Sequence, residues 1–396
     1  MPLNALRYTT GECNYGGRVT DDKDRRCLHV ILNRCYSFDV LKAGHSLSPS
    51  NKWLIPEHGP HESYIDFIDQ LPLIADPEVF GMHSNATITK DQTETTTLFG
   101  SILLTQANST SGGEKSMDEV MQEVASDIFE KLPDLFNMEL AQVRYPVKWS
   151  ESMNTVLQQE IGRYNKLLST IRPSLINVQK AVKGVVVMSA QLEKVGTSLF
   201  FGRVPEYWKS TSYPSLKALG GYVSDLLQRL DMFGSWLEDK PPSVFWLPGF
   251  FFTQAFLTGV MQNFARKYSV PIDSVNWDFK MMPKKSYKKK PKDGAYTWGV
   301  YFDGARWDTR KKELADPLPK ELFSLAPTMH LNPMKEDDIV AKDFYNCPVY
   351  KTSERRGVLA TTGHSSNYVL SLRIPSKKPQ KYWIEMGTAL LCSLDD

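Results

Sequence analysis

The sequence predicts an α+β protein, helical over roughly its first two thirds and strand-rich over the rest. Three observations carry that expectation. Apolar residues recur at helical spacing from Met117 to Phe233. After about Tyr268 the period shortens to β-branched and aromatic runs separated by Gly or Pro. The composition, 41% hydrophobic and 23% charged, is ordinary for a soluble chain that buries a real core. At 396 residues the chain is long enough for two or three domains.

The elements follow in order. Thr20 is placed to cap a helix over about Asp21 to Tyr36, with Asp21, Asp22 and Asp24 at its positive end. Leu54 to Thr89 is rich in proline and turn formers, with a short helical run at Ser63 to Gln70. A helix is expected over about Asp91 to Leu104, and "QANSTSGGEKS" (Gln106 to Ser116) reads as a flexible linker. Ser116 and Glu119 then form a capping box. Behind it, Met117, Val120, Met121, Val124, Ala125, Ile128, Phe129 and Leu132 mark one helical face. Met153 to Ile171 carries a second stripe, ending at Pro173. Leu175, Val178, Val182, Val185, Val186 and Leu192 mark a third, and Leu216 to Phe233 a fourth. These stripes read as core faces. "AYTWGVYF", "CPVYKTS", "NYVLSLRI" and "YWIEMGTALLCSL" read as strands of a small barrel or sandwich.

Bulk chemistry narrows the function classes. Net charge is +2, so no global field favours nucleic acid or acidic membranes. Five scattered cysteines without a Cys-x-x-Cys argue against a disulfide scaffold or zinc ribbon and for a reducing compartment. "MPLNALRYTTGE" has no apolar leader run and reads as a start codon on an internal fragment. Pro241 to Ala265 is free of charge, but Pro248-Gly249 interrupts it. Beyond the break, Gln254, Thr258 and Gln262 put a polar stripe opposite Phe252, Ala255, Phe256, Gly259, Val260 and Asn263. That pattern suits a buried or half-buried helix rather than a lipid-facing span.

No catalytic constellation stands out. Gly16-Gly17-Arg18 precedes a helix, but the Lys-Ser/Thr of a phosphate loop is missing and two aspartates occupy the helix N-terminus. The run reads as a tight turn, with Arg18 left as a candidate contact to a neighbouring module. Seven histidines show no metal-ligand spacing, and His58 and His61 sit in a proline-broken loop. "TTGHSS" (Thr361 to Ser366) places serine beside histidine, where adjacent side chains point apart. No Gly-x-Ser-x-Gly elbow occurs. "KKSYKKKPK" is the one concentrated basic site: Lys284, Lys285, Lys288, Lys289, Lys290 and Lys292. Removing those six from +2 leaves −4 elsewhere. The run reads first as a solvated loop, then as a contact for an acidic surface such as tubulin. Only Tyr287 is interleaved, which does not suit single-stranded nucleic acid. The glycosylation triplets at Asn85 and Asn108 are set aside as chance matches.

Several runs taken together resemble the end of the dynein heavy chain. They are "YGGRVTDDKDRR" (Tyr15 to Arg26), "FGMHSNATI" (Phe80 to Ile88), "WLPGFFFTQAFLTGVMQNFARK" (Trp246 to Lys267) and "GVYFDGARWD" (Gly299 to Asp308). "CPVYKTSERRGVLATTGHSSNYV" (Cys347 to Val369) and "WIEMGTALL" complete the set, in the family's order over nearly the whole sequence. The stretch from Thr352 to Val369 looks axonemal and most like the single-headed inner-arm group. One departure is Lys23, where the family often has tryptophan.

The resemblance implies a piece of a motor built on a ring of AAA+ modules with a linker, a stalk and a tail. Residues 1–110 would be the helical small (lid) subdomain of the sixth module, 111–269 the helical part of the C-terminal domain, and 270–396 its β-barrel part. The sixth module of the family does not hydrolyse ATP, so no catalytic, cofactor or metal residue is expected here; ATP and Mg would belong to the parent motor. The expected partners are the other AAA+ modules and, through the parent protein, dynein light or intermediate chains and axonemal microtubules. Nucleic acid and membrane are not expected. The expected place is the cytoplasm and cytoskeleton, in the axoneme of a cilium or flagellum. The implied role is to brace the ring and tune ATP-driven motility. The alternative is a docking module in which Trp298, Trp307, Trp383 and the six lysines face a regulatory or axonemal partner.

Overall fold

A carboxylate opens the first long helix of the computed structural model, which describes residues 1–14, 19–106, 116–339, 343–355, 357–358 and 365–395. Short helix α1 (Leu3–Tyr8) precedes α2 (Asp22–Cys35). The cap of α2 is Asp21, not Thr20: its carboxylate accepts the Lys23 and Asp24 N–H groups. Helix α3 (His61–Asp69) follows, then α4 (Asn85–Gln106), which starts six residues before the expected Asp91. Gly81, at φ 85°, turns the backbone just before it.

The middle of the sequence is a bundle of α5 (Met117–Lys131), α6 (Met138–Arg144), α7 (Ser152–Val182), α8 (Ala190–Phe200), α9 (Glu206–Lys209), α10 (Leu219–Glu238) and α11 (Thr253–Tyr268). The Ser116–Glu119 capping box is present, with both reciprocal bonds made. Helix α7 is the pillar, and α5, α6, α8, α10 and α11 all pack on it. It runs straight through Pro173, where the sequence suggested an end. An interior proline costs about 3 kcal/mol of helix propensity, but Leu168, Ile171, Leu175 and Val178 are buried on either side of it. Burial of that face outweighs the local penalty.

The expected third helix is split instead. Helix α7 closes in a Schellman turn: Val185 N–H bonds Lys180 O at 2.8 Å and Gly184 N–H bonds Ala181 O at 3.0 Å. Gly184 sits at φ 72°, and Val185 and Val187 end up exposed. Ser189 then caps α8. Helix α11 buries Phe256, Leu257, Gly259 and Val260, and no helix among the described residues is long and apolar enough to cross a membrane.

The strands are β1 (Phe245–Trp246), β2 (Val275–Met281), β3 (Ala295–Trp298), β4 (Tyr301–Asp303), β5 (Arg306–Asp308), β6 (Glu313–Ala315), β7 (Phe323–Leu325), β8 (Met329–Lys335), β9 (Phe344–Tyr350), β10 (Tyr368–Pro375) and β11 (Ala389–Leu391). They form a sheet of order β1-β3-β8-β2, a sheet of order β10-β9-β11-β4-β7 and the hairpin β5-β6. Both larger sheets are open, which corrects the expected barrel. Strand β10 touches β2, but no hydrogen-bonded ladder joins them. Strand β1 stops after two residues, where the backbone turns through Leu247–Gly249. A further correction falls near the C-terminus. "YWIE" is not strand but part of helix α12 (Gln380–Glu385), which follows Pro379 and buries Trp383.

One apolar core runs from Ala125 to Cys392, through the bundle and both sheets. It crosses the Ser269–Pro271 junction without a break, joining Phe256 and Val260 to Trp277 and Leu331. Among the described residues it contains none before Ala125.

Candidate functional site

Residues quoted above as separate runs meet along one seam between the N-terminal helices and the sheets. His83, almost buried, holds its Nε2 3.7 Å from Asp303 Oδ1 at the end of β4. The Arg355 guanidinium pairs with Asp303 from the other side and donates to Gly387 O at 2.7 Å. Burial pushes the Asp303 carboxyl up, but the neighbouring His83 imidazole and the Arg355 guanidinium outweigh it and hold it below the ordinary carboxylate value. Two glycines make the close approach possible. Gly304 has φ 70°, and a Cβ there would lie 2.7 Å from Met386 O. Gly387 has φ 65°, and its Cβ would lie 3.0 Å from Met82 Cε.

Asn85 seals the next part of the seam. It is buried, and its amide donates to Leu318 O and Glu321 O at 2.9 Å each. Its carbonyl oxygen accepts the Lys320 N–H at 2.8 Å. The side-chain nitrogen of that glycosylation triplet is thus already engaged. Asn108 of the other triplet lies outside the described residues.

The start of α2 docks on the far sheet. Asp21 caps its own helix with one oxygen and accepts the Ser365 N–H with the other, at 3.0 Å. Arg26 donates to Asn346 O at 2.9 Å and to the Tyr345 hydroxyl at 3.1 Å. That hydroxyl in turn donates to Thr388 O at 2.8 Å. Lys23 lies over the Tyr368 ring, 5.4 Å from its centroid.

A second polar cluster sits inside the core and clamps Trp246–Phe252 to the bundle. Glu160 on α7 is fully buried and accepts the Phe251 and Phe252 N–H groups. Burial pushes its carboxyl up, opposed by those two donors and by Arg163. Tyr164 donates to Gly249 O at 2.7 Å. Arg229 on α10 donates to Pro248 O and to Asp225, and lies 3.8 Å from the Tyr213 ring centroid. These charges end on backbone or on each other, so their chemistry here is fastening. Among the described residues, no group of three or more His, Cys, Asp or Glu is arranged to hold a metal ion.

The lysine run lies elsewhere, in the loop from β2 to β3. Lys284 and Lys285 line a cavity of about 1290 Å³ that also takes in Trp298 and Trp307. Lys288, Lys289, Lys290 and Lys292 lie along the same loop, all four of them exposed. Trp383 does not join them: it is fully buried, with its indole N–H on Ser376 Oγ at 2.7 Å. Arg18 and His364 lie outside the described residues. Sequence reasoning missed the roles of His83, Asn85, Asp303 and Arg355. Only Asp303 carried a signal, a carboxylate beside glycine inside the otherwise apolar run from Val300 to Ala305.

Comparison with known proteins agrees with this geometry. The family model for the AAA lid domain of the dynein heavy chain matches residues 1–86, and that for the C-terminal domain of the dynein heavy chain matches residues 92–392. This protein belongs to the dynein heavy chain family. Over its full length it is 51% identical to dynein axonemal heavy chain 3 of Homo sapiens, covering 10% of that protein. It is 49% identical to dynein axonemal heavy chain 12 of Homo sapiens, covering 13%, and 48% identical to dynein axonemal heavy chain 1 of Rattus norvegicus, covering 9%. The sequence therefore spans about a tenth of the length of these relatives.

Proposed function

We propose that this protein is a non-catalytic, C-terminal part of an axonemal dynein heavy chain, of the single-headed inner-arm kind. It braces the AAA+ ring and tunes ATP-driven, microtubule-based motility in a cilium or flagellum. ATP and Mg would act in other modules of the parent motor, and light or intermediate chains would associate through it. The observation that carries this reading is the seam. Residues within the lid match and the C-terminal-domain match are joined there by directional bonds to backbone, the arrangement expected of a brace. A second feature supports it. Ten large apolar side chains between Leu54 and Ile102 are exposed, among them Leu73, Ile74, Leu98 and Phe99, and would pack on other modules.

Because the core runs across residue 270, deleting the sheets would damage the bundle. The better test keeps the fold and loosens the brace. In the intact motor, Arg355→Ala should change microtubule-stimulated ATPase and gliding velocity at least twofold while basal ATPase persists. Loss of basal hydrolysis in a folded Arg355→Ala motor would put chemistry at the seam and overturn the reading. Stoichiometric ATP turnover by the purified 396-residue protein that survives repurification would overturn it too.

A further inference from the structure

The cavity between the two sheets has a composition that the bracing role does not use. Its floor and walls are apolar: Phe279, Met281 and Met282 from β2 and the residue after it, Trp298 from β3, Trp307 from β5 and Leu325 from β7. Trp298 is 38% exposed and Leu325 48%, although each is bulky enough to have been buried. The rim carries Lys280, Lys284, Lys285 and Lys312, and no acidic residue lines the cavity. None of these four lysines pairs with a carboxylate among the described residues. The loop that carries two of them is pinned by its backbone, since Thr328 donates to Lys285 O at 3.0 Å and Lys284 N–H bonds the Tyr287 hydroxyl at 3.2 Å. Tyr287 is itself stacked on Tyr296, with centroids 4.6 Å apart. The backbone is thus set while the ammonium groups stay unpaired.

We infer that this groove is a docking site for an acidic, amphipathic peptide segment of a partner protein. Apolar side chains on one face of that segment would enter between Trp298, Trp307 and Leu325, and its carboxylates would meet Lys284, Lys285 and Lys312. Two arguments select that occupant. A volume of about 1290 Å³ exceeds the roughly 300–1,000 Å³ of small-molecule sites, so a polymer segment fits better than a metabolite. The single-sign rim around an apolar floor asks for an occupant with the opposite charge and its own apolar face.

The test uses the 396-residue protein with a fluorescein-labelled, glutamate-rich peptide carrying leucines at helical spacing, followed by anisotropy. The controls are polyglutamate, the same peptide with lysine for glutamate, and anionic lipid vesicles. The glutamate–leucine peptide should bind, weaken with salt, and lose at least tenfold in affinity both in Lys284→Glu/Lys285→Glu and in Leu325→Ser. Both variants change exposed side chains, and unchanged circular dichroism would confirm that they fold. Equal binding of polyglutamate, or binding untouched by Leu325→Ser, would mean charge attraction alone and overturn the groove. Preference for vesicles or for the lysine peptide would overturn the chemistry of the occupant, and absence of peptide binding would overturn the site itself.

Discussion

The interior and the seam of this protein are held by opposite means. The interior shares one apolar core from Ala125 to Cys392, with Trp208, Trp236 and Trp383 fully buried. Among its described residues the N-terminal portion through Ala86 buries only Val30, Leu32 and Ala86 of its apolar side chains and adds none to that core. It is attached by hydrogen bonds at Asn85, Asp21 and Arg26 and by the close approach of His83 to Asp303. Burying one large apolar residue contributes about 1.5–3 kcal/mol, and a typical hydrogen bond about 0.5–1.5 kcal/mol net. The bonds, however, are directional. The seam therefore sets orientation at modest strength, while the interior supplies stability. A joint of that kind can open below the cost of global unfolding, which suits the proposed role as a brace.

The largest expected effect tests the interior. Arg229→Ala removes the buried partner of half-buried Asp225 and the donor to Pro248 O at a buried position. Breaking a buried pair from one side costs about 3–5 kcal/mol. Chemical denaturation should show that loss as a lower midpoint with an unchanged slope. A stability within about 0.5 kcal/mol of the parent, the range of a neutral surface change, would mean the clamp holds nothing.

The next effect separates the two regions. Asn85→Ala strips three hydrogen bonds from the seam and leaves Leu318 O, Glu321 O and Lys320 N–H without that partner. Hydrogen exchange should quicken in α2 and the start of α4, by about 1–3 kcal/mol of opening energy, while α7 stays protected. Acid below the ordinary carboxylate range should do the same, and the sign follows from Asp303. Its folded pKa lies below the ordinary value, so its contribution is present at neutral pH and is lost as pH falls through that lowered pKa. Glu160 has the reverse sign. Its folded pKa is raised, so its contribution is full below the ordinary carboxylate range and is lost as pH rises through the raised value. Acid should therefore loosen the seam before the clamp, and Asp303→Asn should flatten the seam's dependence. Parallel loss of protection in α2 and α7 on acidification would show one cooperative unit.

Periodicity made the bundle legible, because a stripe buried on one face is a one-dimensional pattern. The Met153–Ile171 stripe and the Ser116 cap are visible without any tertiary information. The passage through Pro173 was not, since it depends on what Ile171 and Leu175 bury against. Sheet closure was equally out of reach. Strand order depends on pairings such as β11 between β9 and β4, which no local pattern encodes. Trp383 read as a strand aromatic because its run is apolar; Pro379 before it was the missed sign of a helix start. The seam was half legible. Its residues sat inside recognisable runs, but His83 and Asp303 are 220 positions apart, and only the fold brings them together.

The smallest effect sharpens the boundary between the two regions. Lys23 stands where the family resemblance places tryptophan, and its ammonium group bridges Asp22 at 2.6 Å and overlies Tyr368. Lys23→Trp would give up a cation–π contact of about 0.5–1 kcal/mol and an ion pair whose acid is exposed, of about 0–1 kcal/mol. It would add an aromatic pair of about 0.5–1.5 kcal/mol beyond the area it covers. These nearly cancel before the added apolar area is counted, so the expected outcome is a gain below about 1 kcal/mol, seen as slower exchange in α2 alone. Tyr368 belongs to β10, whose neighbours Val369 and Leu370 lie in the main core. A shift in the global unfolding midpoint comparable to that of Arg229→Ala would therefore show the change reaching the interior through β10. The seam would then be an extension of the core rather than a separate, weaker joint.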